Sequence, residues 1–186
     1  VARLGRLDST PKLKIPEGSY RLGLGSYGAL EELTAVPQTR RVPGPQEVEI
    51  AVTAAGLNFR DVLRALGMLA EYERERGIRS ASEAPLGFEC VGKITAVGEE
   101  VRHLSIGQEV MALGQGSLAS HLCVSHQVVA PKPNSLSGIE AATIPLAFLT
   151  AAYGLEKLAQ LQTGERILIH AAAGGVGQAA VQLAKA

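Results

Sequence analysis

The stretch of this 186-residue sequence best suited to chemistry is a glycine-rich loop, Ala171-Ala-Ala-Gly-Gly-Val-Gly177. An aliphatic run, Arg166-Ile-Leu-Ile-His170, leads into it, and a small-residue stretch from Val176 to Ala186 follows. Strand, glycine loop and helix in that order make the first turn of a dinucleotide-binding fold. Glycine lets backbone amides approach a pyrophosphate, and the positive end of the helix dipole supports its charge. Small residues such as Ala179 and Ala180 let that helix pack closely on the strand. The candidate cofactor contacts are therefore Ala173, Gly174, Gly175, Val176 and Gly177; the plainer alternative is a Gly-rich turn with no ligand. The residue that reads the cofactor's ribose is expected about 20 positions further on, beyond Ala186, so NADH and NADPH are not separated by direct reading.

Other reactive side chains are sparse. Cys90 and Cys123 lack C-x-x-C spacing and cannot build a disulfide framework, so they read as isolated thiols in a reducing, cytoplasmic compartment. His170 closes the aliphatic run and reads as a strand-end residue, while His103, His121 and His126 have no evident partners. Asn58 precedes Val62, Leu63 and Leu66 at helical spacing, which suits it to capping a helix that starts there.

The elements that must position these residues change character along the chain. Eighteen basic residues balance eighteen acidic ones, which argues against nucleic acid or an anionic membrane as the main partner. With 46% hydrophobic and 19% charged residues, the chain can bury a core, and at 4% aromatics that core must be aliphatic. No apolar run is expected to reach the ~18 residues of a membrane span. Residues 1–18 read as a linker, and because the sequence begins with Val, the chain is expected to be a piece of something longer. Short β-type runs follow at Tyr20–Leu22, Leu30–Val36 and Val48–Val52, then a helix from Asn58 to Leu66 and a charged, solvated excursion from Glu71 to Glu83. Strands are expected again at Val91–Val97, Glu109–Leu113, Leu118–Val124 and Val128–Ala130. Ile139–Leu158 has the length of one or two helices broken at Pro145, and Arg166–His170 reads as a buried strand.

Several strings carry a resemblance: Tyr20-Arg-Leu with Leu30-Glu-Glu-Leu, Ala55-Gly-Leu-Asn-Phe-Arg-Asp-Val62, Gly98-Glu-Glu-Val101, Gly107-Gln-Glu-Val110 and Ile169-His-Ala-Ala-Ala-Gly-Gly-Val-Gly177. Together, from about Tyr20 to Ala186, the chain resembles the enoyl reductase domains of modular polyketide synthases, in the zinc-independent branch of the medium-chain dehydrogenase/reductase superfamily. The resemblance implies an α/β plus β architecture: a GroES-like β-barrel domain over 19–145, followed over 146–186 by the first β-α unit of a truncated Rossmann domain. It implies NADPH-dependent reduction of an enoyl thioester on an acyl carrier protein, beside other domains of the same synthase. It also implies that Asn58 and Thr150 face the nicotinamide, although Asn58 also fits a cap and Thr150 a hydroxyl bonded within its own helix.

In the superfamily's zinc branch a Cys stands where this chain has Asn58, and a His where it has Phe88. Glu89 alone cannot complete a catalytic site, so no metal is expected. Enoyl or quinone reduction remains open without a Lewis acid. Arg60 and Asp61 fit either a mutual salt bridge that orients the loop or a substrate role. Many relatives place a proton-donating Tyr where this chain has Leu69; Tyr72 is near, and the remaining acids of the family fall beyond Ala186. No catalytic residue is assigned. The rivals are a zinc-free quinone oxidoreductase, a ring-closing (cyclopropane-forming) enoyl reductase and a non-catalytic scaffold fragment.

Overall fold

The structure, a computed structural model, describes residues 13–186, so most of the expected linker lies outside the described residues. Two β elements come first, β1 (Tyr20–Leu24) and β2 (Leu33–Pro37), paired as an antiparallel hairpin. The main sheet contains β3 (Glu47–Ala55), β4 (Glu89–Val97), β5 (Glu109–Leu113), β6 (His121–Ser125) and β7 (Val129–Pro131). Its order is β6-β3-β4-β5-β7, antiparallel throughout. β6 and β7 remain its two edges, so the expected barrel is an open sheet among the described residues. The hairpin continues it through Leu22 N–H to Leu118 O (2.7 Å) and Ser120 N–H to Tyr20 O (2.8 Å), without closing it.

The sheet's core follows from aliphatic residues on one face of successive strands, with Val48, Ile50, Cys90, Ile94, Val110 and Ala112 all buried. Glu49 is also buried on β3, which is tolerable because Arg40 and Thr95 both donate to its carboxylate. Between β3 and β4 run α1 (Phe59–Ala65) and α2 (Ala70–Glu75). The excursion read as a solvated face carries a buried charge: Glu73 of α2 pairs with Arg64 of α1, both almost fully enclosed.

After β7 come α3 (Gly138–Ala141) and α4 (Pro145–Ala152), separated at the turn before Pro145, and α4 runs on into a π-helical turn at Tyr153–Leu158. Contrary to the expectation, Gly138–Leu158 has the length and apolarity of a membrane span. It is not one straight rod, however. Ala141 and Ala142 pack on Val91 of the sheet, and Ala151 packs on Ala179 and Ala180 of α5 (Gly175–Leu183). Arg166–Ile169 belongs to no strand and no helix. A parallel strand takes its hydrogen bonds from neighbours, and none of β1–β7 lies beside it; Leu168 is 81% exposed. The Rossmann part is thus α4, an unpaired segment, the glycine loop and α5.

Candidate active-site cleft

Asn58 does cap α1. Its side-chain oxygen accepts the Arg60 N–H (2.9 Å), and Asp61 Oδ2 accepts the Asn58 N–H (3.0 Å), completing a reciprocal capping box. Asp61 Oδ1 meanwhile accepts the Gly87 N–H (2.7 Å), fastening the start of α1 to the segment that leads into β4. Gly87 is required there: its φ is +93°, and a Cβ would fall 2.4 Å from Leu118 N. The anticipated Arg60–Asp61 salt bridge does not form, because Asp61 is committed to these two amides. Arg60 instead lies over the rings of Phe88 (5.2 Å) and Tyr72 (5.6 Å).

Two guanidinium groups lie over the Phe88 ring, Arg60 at 5.2 Å and Arg64 at 5.1 Å from its centre. Arg64 also donates to the Pro85 carbonyl. Beside Phe88, Glu89 is buried, and its Oε2 accepts the Leu146 N–H (2.8 Å) in the first turn of α4. That amide has no partner within its own helix. Burial pushes the Glu89 carboxyl upward, the Asp61 charge adds to this, and the Leu146 bond opposes it. Burial likewise pushes the Cys90 thiol up to about 12. Among the described residues, no three His, Cys, Asp or Glu side chains converge as metal ligands would.

Thr150 Oγ1 donates to Leu146 O (2.7 Å), the back-bond within its own helix. The hydroxyl oxygen retains lone pairs to accept from a ligand. The glycine loop turns tightly at Ala171, a left-handed residue with φ +51°, whose carbonyl accepts the Gly174 N–H (2.9 Å). A Cβ on Gly177 would lie 2.3 Å from that same carbonyl, so this position must be glycine for the loop to close. Around Gly175, by contrast, there is open space. Gly174 caps α5 without a side-chain bond, so the amides of its first turn are directed at the solvent side of the loop.

A cleft of about 670 Å³ brings these pieces together. Asn58, Arg60, Phe88 and Glu89 line it from the sheet side, and Thr150, Gly175 and Val176 from the helical side. Of the candidate cofactor contacts picked out in the sequence, Asn58, Thr150, Gly175 and Val176 meet at its wall. Ala173, Gly174 and Gly177 do not line it; they shape the loop behind. Tyr72 is on α2 with its ring against Arg60 and Arg76, also off the wall, and Leu69 lies just ahead of that helix. His103 and His126 do have a partner, each other, with ring centres 5.0 Å apart in an edge contact. Sequence reasoning missed the Arg60–Phe88–Arg64 stack and the Glu89–Leu146 bond. Their partners are too far apart in the chain for spacing to reveal.

Residues 44–134 match the alcohol dehydrogenase GroES-like domain. A phenolphthiocerol/phthiocerol polyketide synthase protein of Mycobacterium tuberculosis is 43% identical over 167 residues, which is 90% of this chain and 7% of that protein. Among solved structures, the CurK enoyl reductase is 53% identical with a TM-score of 0.87, and the CurF ER cyclopropanase 46% identical with a TM-score of 0.79. Each comparison covers 90% of this chain and 51% of the other. The Escherichia coli quinone oxidoreductase, solved in complex with NADPH, is 32% identical with a TM-score of 0.73, covering 89% of this chain and 49% of the other. The chain therefore spans about half the length of these solved enzymes and a small part of the synthase. With a GroES-like sheet, a glycine loop opening a Rossmann helix, and relatives of this kind, the chain belongs to the medium-chain dehydrogenase/reductase superfamily and is similar to the polyketide synthase enoyl reductases within it.

Proposed function

We propose that this chain supplies the substrate side and the phosphate loop of an NADPH-dependent enoyl reductase acting within a cytoplasmic polyketide synthase. Residues 19–145 form the GroES-like unit and 146–186 the start of the cofactor unit. The substrate is an enoyl thioester on an acyl carrier protein. The observation that carries this reading is the chemistry left unused in one cleft. Asn58 spends its carbonyl oxygen on Arg60 N–H and keeps its amide N–H groups; Thr150 spends its proton on Leu146 O and keeps its lone pairs. A donor and an acceptor held by two different elements match the two ends of a carboxamide such as that of nicotinamide.

The glycine loop fits the other end of such a cofactor. The first turn of α5, with no side-chain cap, and the open space at Gly175 suit a pyrophosphate on Gly175 and Val176, with Gly177 closing the loop behind them. When bound, the reduced nicotinamide would supply hydride for the β-carbon of the enoyl group, while the double-bond pair moves to the thioester oxygen and a proton joins the α-carbon. This chain's own residues bind and orient. Leu146 and Ala147 present an apolar wall that excludes water, and Arg60, held against two rings, keeps a fixed positive charge at the edge of the cleft. Glu89 Oε2 is held by the Leu146 N–H, and no proton donor is assigned among these lining residues. The Phe88 ring where the zinc branch has His, and the occupied Glu89, support a reaction without zinc. Higher identity to the CurK reductase than to the CurF cyclopropanase supports plain reduction over ring closure.

The test uses the full-length protein that contains this chain, with NADPH and crotonyl-pantetheine. The expected result is loss of reduced cofactor matched by a saturated thioester. Oxidation of cofactor by a quinone but not by the enoyl thioester would replace this reading with that of a quinone reductase, and no oxidation by either would leave a scaffold.

A further inference from the structure

Helix α1 borders a second concavity, of about 240 Å³, that the nicotinamide and phosphate contacts do not use. The hairpin contributes Leu22 and Leu33 to it, α1 contributes Val62 and Ala65, and Leu118 and Leu57 complete the wall. Among the described residues, the only polar one bordering it is Asp61, and both carboxylate oxygens there are engaged, one by Asn58 N–H and one by Gly87 N–H. No protein group bordering this concavity is free to bond water, so its wall favours an apolar guest. Leu57 borders both the chamber and the cleft, and it is 72% exposed. An all-aliphatic concavity that shares Leu57 with the cleft suits the far end of a chain that is polar at one end only.

We propose that this chamber receives the aliphatic end of the acyl group whose double bond is reduced in the cleft, with Leu57 as the shared wall. The proposal rests on the enoyl reductase reading of the cleft and adds to it a measure of substrate length. An apolar cavity of roughly 150 Å³ holds one benzene, so a chamber of about 240 Å³ accommodates on the order of eight to ten carbons by the same scale. The guest is a flexible alkyl chain, and the chamber sets which chain lengths bind best.

The experiment measures kcat/KM on the full-length protein for a series of 2-enoyl pantetheine thioesters of increasing length. Each methylene that enters the chamber should raise kcat/KM by roughly fourfold, the equivalent of about 0.8 kcal/mol, until the chamber fills and the gain stops. Val62→Phe, at a half-exposed wall position, should bring that plateau to shorter chains and lower kcat/KM for the longest by at least about tenfold, the equivalent of two methylenes or so, with the four-carbon substrate unchanged. An unchanged length profile in this variant overturns the proposal. A second measurement does not depend on the variant folding: a saturated acyl pantetheine carrying a diazirine at its last carbon is photolysed on the wild-type protein. Label on Leu22, Leu33 or Ala65 supports the chamber, and label confined to Leu146–Thr150, or none, overturns it. If the label reaches the chamber but no thioester of any length is reduced, alkyl binding stands and the reductase reading falls.

Discussion

Replacing Glu73 by Gln tests whether the cleft depends on an ion pair buried behind it. Arg64 and Glu73 are 2% and 1% exposed, and the guanidinium also donates to Pro85 O and lies 5.1 Å from the centre of the Phe88 ring. Removing one charge leaves the other buried without its counter-ion, a loss of about 3–5 kcal/mol in comparable sites. The Gln side chain can still accept one hydrogen bond, so the lower end, about 3 kcal/mol, is expected. For a chain of this size that is a fall in Tm of roughly 6–12 °C. The assay is urea and thermal unfolding of wild type, Glu73→Gln, Arg64→Met and the double variant Arg64→Met/Glu73→Met. The double variant should recover most of the loss, since two apolar side chains of similar volume remove both desolvation costs together. Cofactor affinity should follow stability only weakly in Glu73→Gln, because Arg64 still lies over Phe88, and more strongly in Arg64→Met, where the ring loses one of its two cations. Glu73→Gln within about 0.5 kcal/mol of wild type, the range of an ordinary surface change, would refute the claim that this pair is a buried, coupled unit.

Three further outcomes are expected. Gly177→Ala should weaken both folding of the loop and NADPH binding, because its Cβ meets Ala171 O at 2.3 Å, whereas Gly175→Val should leave unfolding unchanged and reduce only NADPH affinity, read by fluorescence titration. Glu89→Ala should cost about 1–3 kcal/mol by leaving the Leu146 N–H unpaired; Glu89→Gln, which can still accept that bond and removes a charge that burial disfavours, should cost little, as urea midpoints at neutral pH will show. The Arg41 hydrogen bond, helped by Gly44 N–H, holds Glu47 down at about 2 from a usual 4.5, so its contribution is present above pH 4.5 and is lost as pH falls from there toward 2. A pH series of unfolding should show that loss, and Arg41→Gln should flatten it.

Legibility in the sequence followed the range of the interaction. The Asn58 cap, the break at Pro145 and the close turn at Gly177 are local, set by residues within a few positions, and each is found in the fold. The Arg166–His170 strand failed for the opposite reason: an aliphatic run marks the capacity to be a buried strand, but the ladder depends on neighbours that the described residues do not include. Closure of the GroES-like sheet was not legible for a similar reason, since short β-type runs specify strands and not whether the β6 and β7 edges meet. Glu73 sits in a stretch so rich in charge that its pattern is that of a solvated face. Only the fold reveals that this one carboxylate reaches Arg64, nine residues earlier, while its neighbours stay in solvent.

The same division explains how the cleft is assembled. Asn58 and Thr150 each satisfy a backbone group first and offer to a ligand only what remains, so the two halves of the site are oriented by capping and back-bonding before any ligand binds. What joins the halves is Glu89, at the start of β4, accepting the Leu146 amide at the start of α4. Because Asp61 ties α1 to Gly87, two residues before Glu89, a displacement of either carboxylate would move Asn58 relative to Thr150. The registration of the cleft therefore rests on two buried acids, Asp61 and Glu89. Substituting Asp61 or Glu89 should change the alignment of donor and acceptor while leaving both of those groups present.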